Sequence, residues 1–117
     1  MDERQALMVF AALSQETRLR ILRMLVVAGP EGLAAGAIAG QAQVSASNVS
    51  FHLKELERAG LVTARRDARS IIYSTEYEAL SGLIRFLMDD CCSGRPEICA
   101  PVISAAACCA PAKGPVQ

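Results

Sequence analysis

The chain has 117 residues, 52% of them apolar and 21% charged, with twelve basic and twelve acidic side chains balancing to a net charge of zero. That length fits one compact domain, and with no Trp and only 4% aromatic residues the core must be packed by aliphatic side chains and Ala, which disfavours a β-sandwich. No run is apolar for long enough to span a bilayer and no signal-peptide pattern opens the chain, so no membrane partner and a cytoplasmic location are expected.

Residues 2 to 13, "DERQALMVFAAL", place acidic residues in a first turn and apolar ones at Leu7, Phe10 and Ala11, which predicts a short amphipathic helix. Ser14 stands where an N-cap belongs, with Glu16 in the following turn. Leu19, Leu22 and Val26, flanked by Ile21 and Leu25, give a second helix that Gly29-Pro30 stops. "GLAAGAIAGQAQ" predicts a short third helix anchored by Leu33 and Ile38. Ser45 caps a fourth, "ASNVSFHLKELERAG", whose buried stripe is Val49, Leu53 and Leu56 and whose end is Gly60.

The period then changes from helical to alternating. Val62 and Ala64 alternate with Thr63 and Arg65, and beyond the charged turn "RDAR" Ile71 and Tyr73 alternate with Ile72 and Ser74, the pattern of a β-hairpin. From Tyr77 to about Asp90, Leu80, Leu83, Ile84, Leu87 and Met88 recur at helical spacing. Residues 100 to 117 are rich in Ala and Pro and read as a tail that adds little to the core. The expected fold is therefore mainly α with a small β-hairpin, in the order helix-helix-helix-helix-strand-strand-helix. Residues 1–92 form the domain and 93–117 a Cys-containing C-terminal segment. Two helices joined by a tight turn and followed by a basic hairpin make a winged helix-turn-helix.

Such a motif lays its second helix in the major groove of double-stranded DNA, which calls for small polar residues at the start of that helix and an apolar stripe behind them. Ser45, Ser47, Asn48, Ser50 and Lys54 supply the polar face, and Arg65, Arg66 and Arg69 on the hairpin suit phosphate or minor-groove contact. The charge distribution agrees. From Gln41 to Ser70, Lys54, Arg58, Arg65, Arg66 and Arg69 outnumber Glu55, Glu57 and Asp67, whereas Glu76 to Cys99 is acidic. Any one Ser or Arg alone would read as a solvated surface residue; the arrangement as a whole reads as DNA-binding. His52, the one histidine, reads as a half-buried packing or hydrogen-bonding group rather than a metal ligand.

"LSQETRLRILRMLVV", "VSASNVSFHLKELERAGLV" and "ARRDARSIIYS" resemble the opening helix, recognition helix and wing of the ArsR/SmtB repressors, over roughly residues 5 to 90. The resemblance implies a homodimeric, metal- or metalloid-responsive repressor of operator DNA, with the first and last helices forming the dimer interface. Three positions depart from the family pattern. Gln43 and Ala68 stand where Gly is common, so the backbone at Gln43 is expected to suit a residue with a side chain. Phe51 replaces a frequent His and can offer a base only an apolar contact, such as with a thymine methyl group.

All five cysteines follow residue 90, at Cys91, Cys92, Cys99, Cys108 and Cys109. In a reducing compartment they read as metal-binding or redox groups rather than structural disulfides. The segment before the recognition helix has no thiol and the last helix no histidine, so neither of two common family sensor sites is present. Cys91, Cys92 and Cys99 remain. Three soft thiolates without a fourth ligand suit trigonal-pyramidal As(III) or Sb(III), and Ser93, Gly94 and Pro96 can turn the chain so that they meet. Some arsenic-responsive family members carry a similar cluster at this end. Cys108 and Cys109 could add ligands but read as spectators. A thiol redox switch on the same fold is the alternative, although a disulfide between adjacent cysteines is strained. An enzyme would need a base beside its nucleophile, and His52 lies in the recognition helix.

Overall fold

The computed structural model describes residues 1–88, so the five cysteines, the expected boundary at residues 92 and 93 and the Ala/Pro-rich tail lie outside the described residues. The compact unit is Met1–Leu83. The elements are α1 (Glu3–Leu13), α2 (Glu16–Ala28), β1 (Leu33–Ala34), α3 (Ala35–Ala42), α4 (Ala46–Arg58), β2 (Val62–Asp67), β3 (Ser70–Thr75) and α5 (Tyr77–Met88). Five helices and an antiparallel sheet in the order β1-β3-β2 make the expected winged helix-turn-helix, with one strand more than the hairpin foresaw.

That strand is Leu33–Ala34, which pairs Leu33 with Tyr73 and Ala34 with Ile72 instead of opening the third helix. A two-residue strand carries no periodicity of its own. It forms because the far edge of β3 offers unpaired backbone groups. Gly32, at φ +72, turns the chain onto that edge.

Helix α1 buries a face other than the expected one, and α2 buries only part of its expected stripe. In α1 the core residues are Ala6, Val9 and Ala12, while Leu7 is 61% and Phe10 44% exposed and Ala11 faces solvent. Small side chains let α1 pack against α2 and α4, and the bulkier residues are left outside. In α2 the buried residues are Ile21, Leu22 and Leu25, with Leu19 and Val26 exposed, because α3, α4 and β3 all pack on that side. The cap is also displaced by one residue. Gln15 is the N-cap, its Oε1 accepting from Arg18 N–H at 2.8 Å, and Ser14 closes α1 by donating its hydroxyl to Ala11 O at 2.8 Å.

Helix α4 follows the sequence closely. Ser45 Oγ accepts from Asn48 N–H at 3.2 Å, and Val49, Leu53 and Leu56 are 0%, 1% and 0% exposed. Its end is a Schellman turn: Gly60 N–H donates to Glu57 O and Leu61 N–H to Leu56 O, both at 3.0 Å, with Gly60 at φ +83. Ile21, Leu25, Ile38, Leu53, Leu56 and Leu61 form the centre of the core, each contributing about 2 kcal/mol by burial. Of the α5 stripe only Leu83 is buried, and Ile84 and Leu87 are exposed.

Both positions where the family commonly has Gly take positive φ, which at Gln43 differs from expectation. Gln43, the C-cap of α3, adopts φ 57 and ψ 47, a left-handed conformation that costs a side-chain-bearing residue about 1 kcal/mol. Ala68 sits at φ 58 as the first of two residues linking Asp67 to Ser70, the sign pattern of a type II′ hairpin turn. The charged turn is thus shorter than "RDAR", since Arg66 and Asp67 belong to β2.

Candidate nucleic-acid interface

Three residues, Gln43 to Ser45, separate α3 from α4, and the left-handed backbone at Gln43 makes the turn this tight. Val44 N–H reaches back to Ala39 O at 3.2 Å, tying the turn to α3. Ile38 and Ala42 of α3 and Val49 of α4 close the buried side. With that stripe fixed against the core, the opposite side of α4 faces solvent. Ser47, Ser50, Phe51 and Lys54 fall at i, i+3, i+4 and i+7 on that side and all are exposed. Asn48 lies beside them in the first turn, exposed, and Ser45 Oγ is 3.4 Å from Ser47 Oγ. A thirteen-residue helix of about 20 Å with a polar first turn and one aromatic is shaped for a major groove about 12 Å wide.

The wing is β2 and β3, with Thr63 Oγ1 and Ser74 Oγ 3.3 Å apart across the strands. Arg66 and Arg69 are exposed at its tip and make no ion pair among the described residues. They are available for phosphates, with Asp67 between them moderating the charge. Arg65 is placed differently. Its guanidinium donates to Glu31 O at 2.9 Å and Pro30 O at 3.4 Å, bracing the hairpin against the loop after α2. The sequence grouped Arg65 with Arg66 and Arg69 because nothing local distinguishes it from them.

His52 is half-buried, as expected, and its partner is Arg18: the guanidinium NH1 lies 3.3 Å from Nδ1. Burial, and after it the Arg18 charge, lowers the His52 pKa from its ordinary value. Arg18 was not singled out in the sequence, and the 34 residues between the two leave no local signal that could have found it. The Phe51 and His52 rings meet edge to face at a centroid distance of 5.4 Å, which orients the aromatic on the exposed side of α4. Among the described residues no three His, Cys, Asp or Glu side chains gather as a metal site, and no helix is long and apolar enough to cross a membrane.

Residues 13–65 match the model of a helix-turn-helix domain family. The chain is 38% identical over 88 residues to the HTH-type transcriptional regulator YgaV of Escherichia coli, covering 75% of this chain and 87% of that protein. Among solved structures, an ArsR-like transcriptional regulator from Rhodococcus superposes with a TM-score of 0.67 at 28% identity, covering 94% of this chain and 96% of that one. The chain belongs to the ArsR family. As an ArsR-family protein it is a DNA-binding transcriptional regulator and not an enzyme. Two other ArsR-type relatives are informative. A putative arsenical resistance operon repressor of Halobacterium salinarum is 42% identical over 67 residues, covering 57% of this chain and 51% of that protein. The homodimeric winged helix-turn-helix domain of Mb0332 from Mycobacterium bovis has a TM-score of 0.59 at 29% identity, covering 74% of this chain and 81% of that one.

Proposed function

We propose that this ArsR-family regulator is a homodimeric repressor that leaves its operator when Cys91, Cys92 and Cys99 capture As(III) or Sb(III). The observation that carries the reading is the placement of every thiol beyond residue 90, directly after a winged helix-turn-helix. Soft thiolates favour soft ions, and three of them leave room for the lone pair of a trigonal-pyramidal metalloid. The likeness to a putative arsenical resistance repressor supports this ligand class.

Dimerisation is supported by what α1 leaves uncovered. Leu7, Met8 and Phe10 are 61%, 43% and 44% exposed, a cluster that a second copy would bury. The Mb0332 domain is itself homodimeric. In the dimer two α4 helices meet successive major grooves, and their spacing is set by the interface. Ligand capture by thiols that follow the last helix in the sequence would alter that spacing. By linkage, if the ligand weakens operator binding, operator weakens ligand binding by the same factor, typically about 1–3 kcal/mol.

The test is to titrate arsenite, Sb(III), Zn(II), Cd(II) and an oxidant against the protein–operator complex. Release by arsenite and Sb(III) is expected, and Ser at Cys91, Cys92 or Cys99 should abolish it while leaving operator affinity intact. Ser at both Cys108 and Cys109 should change little. Release by oxidant alone would replace the metalloid reading with a thiol redox switch. A charge introduced at Phe10 (F10E) should give a monomer by sedimentation.

A further inference from the structure

We propose that Arg18 is a positioning residue for DNA reading: it clamps the C-terminal turn of α1 to the neutral ring of His52 on α4 and so fixes the seat of Phe51. The inference rests on the reading of α4 as the recognition helix.

Arg18 stands in the first turn of α2, its backbone N–H held by Gln15 Oε1 at 2.8 Å. Its Nε donates to Ala12 O at 2.7 Å, one of the last carbonyls of α1, which has no partner within its own helix. The other end of the same planar guanidinium meets His52 Nδ1 at 3.3 Å. A guanidinium can only donate, so Nδ1 must be the acceptor and the ring proton must sit on Nε2. His52 is therefore neutral in this arrangement. A second proton would remove the acceptor and set two cations against each other, in keeping with the downward pKa shift caused by burial and then by Arg18. The ring so held packs edge-on against Phe51, which is 57% exposed among the reading residues. A continuous path thus runs from the last turn of α1 through Arg18 and His52 to Phe51.

The surroundings leave Arg18 as the charge that acts on the ring. In the groove beside Arg18, α1 contributes the uncharged Met8, Ala11 and Ala12, and α4 contributes Glu55 and Arg58, which pair with each other at 3.3 Å. A Lys at position 18 could not reach both partners, because one ammonium lacks the two separated donors of the fork.

The experiment uses the full chain and the duplex that the wild-type protein recovers from a randomised pool, with affinity followed as pH is lowered through the ordinary His value of about 6.5. Wild-type affinity is expected to fall below that value. His52→Asn, whose Oδ1 accepts but cannot gain the proton and which lacks the ring against Phe51, should bind more weakly at neutral pH and lose most of the pH dependence. Arg18→Gln should bind at least about tenfold more weakly at neutral pH, about 1.4 kcal/mol. In parallel, nitrogen NMR of the free protein should show the Nε2–H tautomer of His52, with its pKa rising toward the ordinary value in Arg18→Gln. An Nδ1–H tautomer overturns the clamp whether or not a duplex is recovered. Unchanged affinity of Arg18→Gln, or an unaltered pH profile in His52→Asn, overturns its role in reading DNA. A pool that yields no duplex would count against the DNA reading alone, with the tautomer still deciding the clamp.

Discussion

Gly32 packs against the backbone of Tyr73 so closely that a β-carbon on it would run into the Tyr73 carbonyl oxygen, and would stand 2.9 Å from Ile72 Cγ2. The contact is what lets Leu33–Ala34 add to the free edge of β3. The same glycine sits at φ +72, so two independent constraints exclude a side chain there. Gly32→Ala should cost about 3 kcal/mol, from left-handed strain plus a backbone collision that cannot relax cheaply. Gly60→Ala meets only the first constraint, since φ is +83 but open space surrounds the site, and should cost about 1 kcal/mol. Thermal melting of the two variants compares them directly. Equal losses would mean that the sheet edge is not tightly closed.

Gln43 and Ala68 pose the opposite case, side chains where the backbone favours glycine. Gln43→Gly and Ala68→Gly should each raise stability by about 0.5–1 kcal/mol, the relieved strain exceeding the added freedom of the unfolded chain. In a domain of this size about 1 kcal/mol is roughly 4–8 °C in Tm. A fall in Tm for either would show that its side chain makes up for the strain.

Thr75 is 5% exposed and its hydroxyl has no hydrogen-bond partner among the described residues. It pairs with Val62 at the base of the wing, an apolar setting. Thr75→Val keeps the shape and removes the orphaned group, so it should stabilise the fold by about 1 kcal/mol in a denaturant titration. Destabilisation would point to a water held by that hydroxyl.

The wing arginines should separate by readout. Arg66→Ala should weaken binding to every duplex and lower the salt slope by about 1, with no change in melting temperature. Arg65→Ala should instead reduce stability by about 1 kcal/mol, through loss of its bonds to Pro30 and Glu31 carbonyls. Measuring affinity against salt alongside Tm distinguishes the two. Identical behaviour would mean that Arg65 lets go of the loop to join Arg66 on the phosphates.

Helix α4 shows how far local information reaches in this protein. Its cap at Ser45, its stripe at Val49, Leu53 and Leu56 and its stop at Gly60 are all set by residues within a few positions of one another, and all appear in the fold. The hairpin is legible for the same reason, because alternation and a short connection are properties of neighbouring residues. From these the winged helix-turn-helix and the exposed polar face of α4 follow before any packing is known. What only the tertiary structure decided was every choice among faces and distant partners. α1 and α2 each carry apolar residues on more than one side, and packing against other elements determines that Ala6, Val9, Ile21 and Leu22 go inside while Phe10 and Leu19 stay out. Likewise β1, the Arg65 brace and the Arg18–His52 contact join residues more than thirty positions apart. Caps and periods are written into adjacent residues, but a guanidinium with five donors acquires its role from whichever acceptors folding brings within reach.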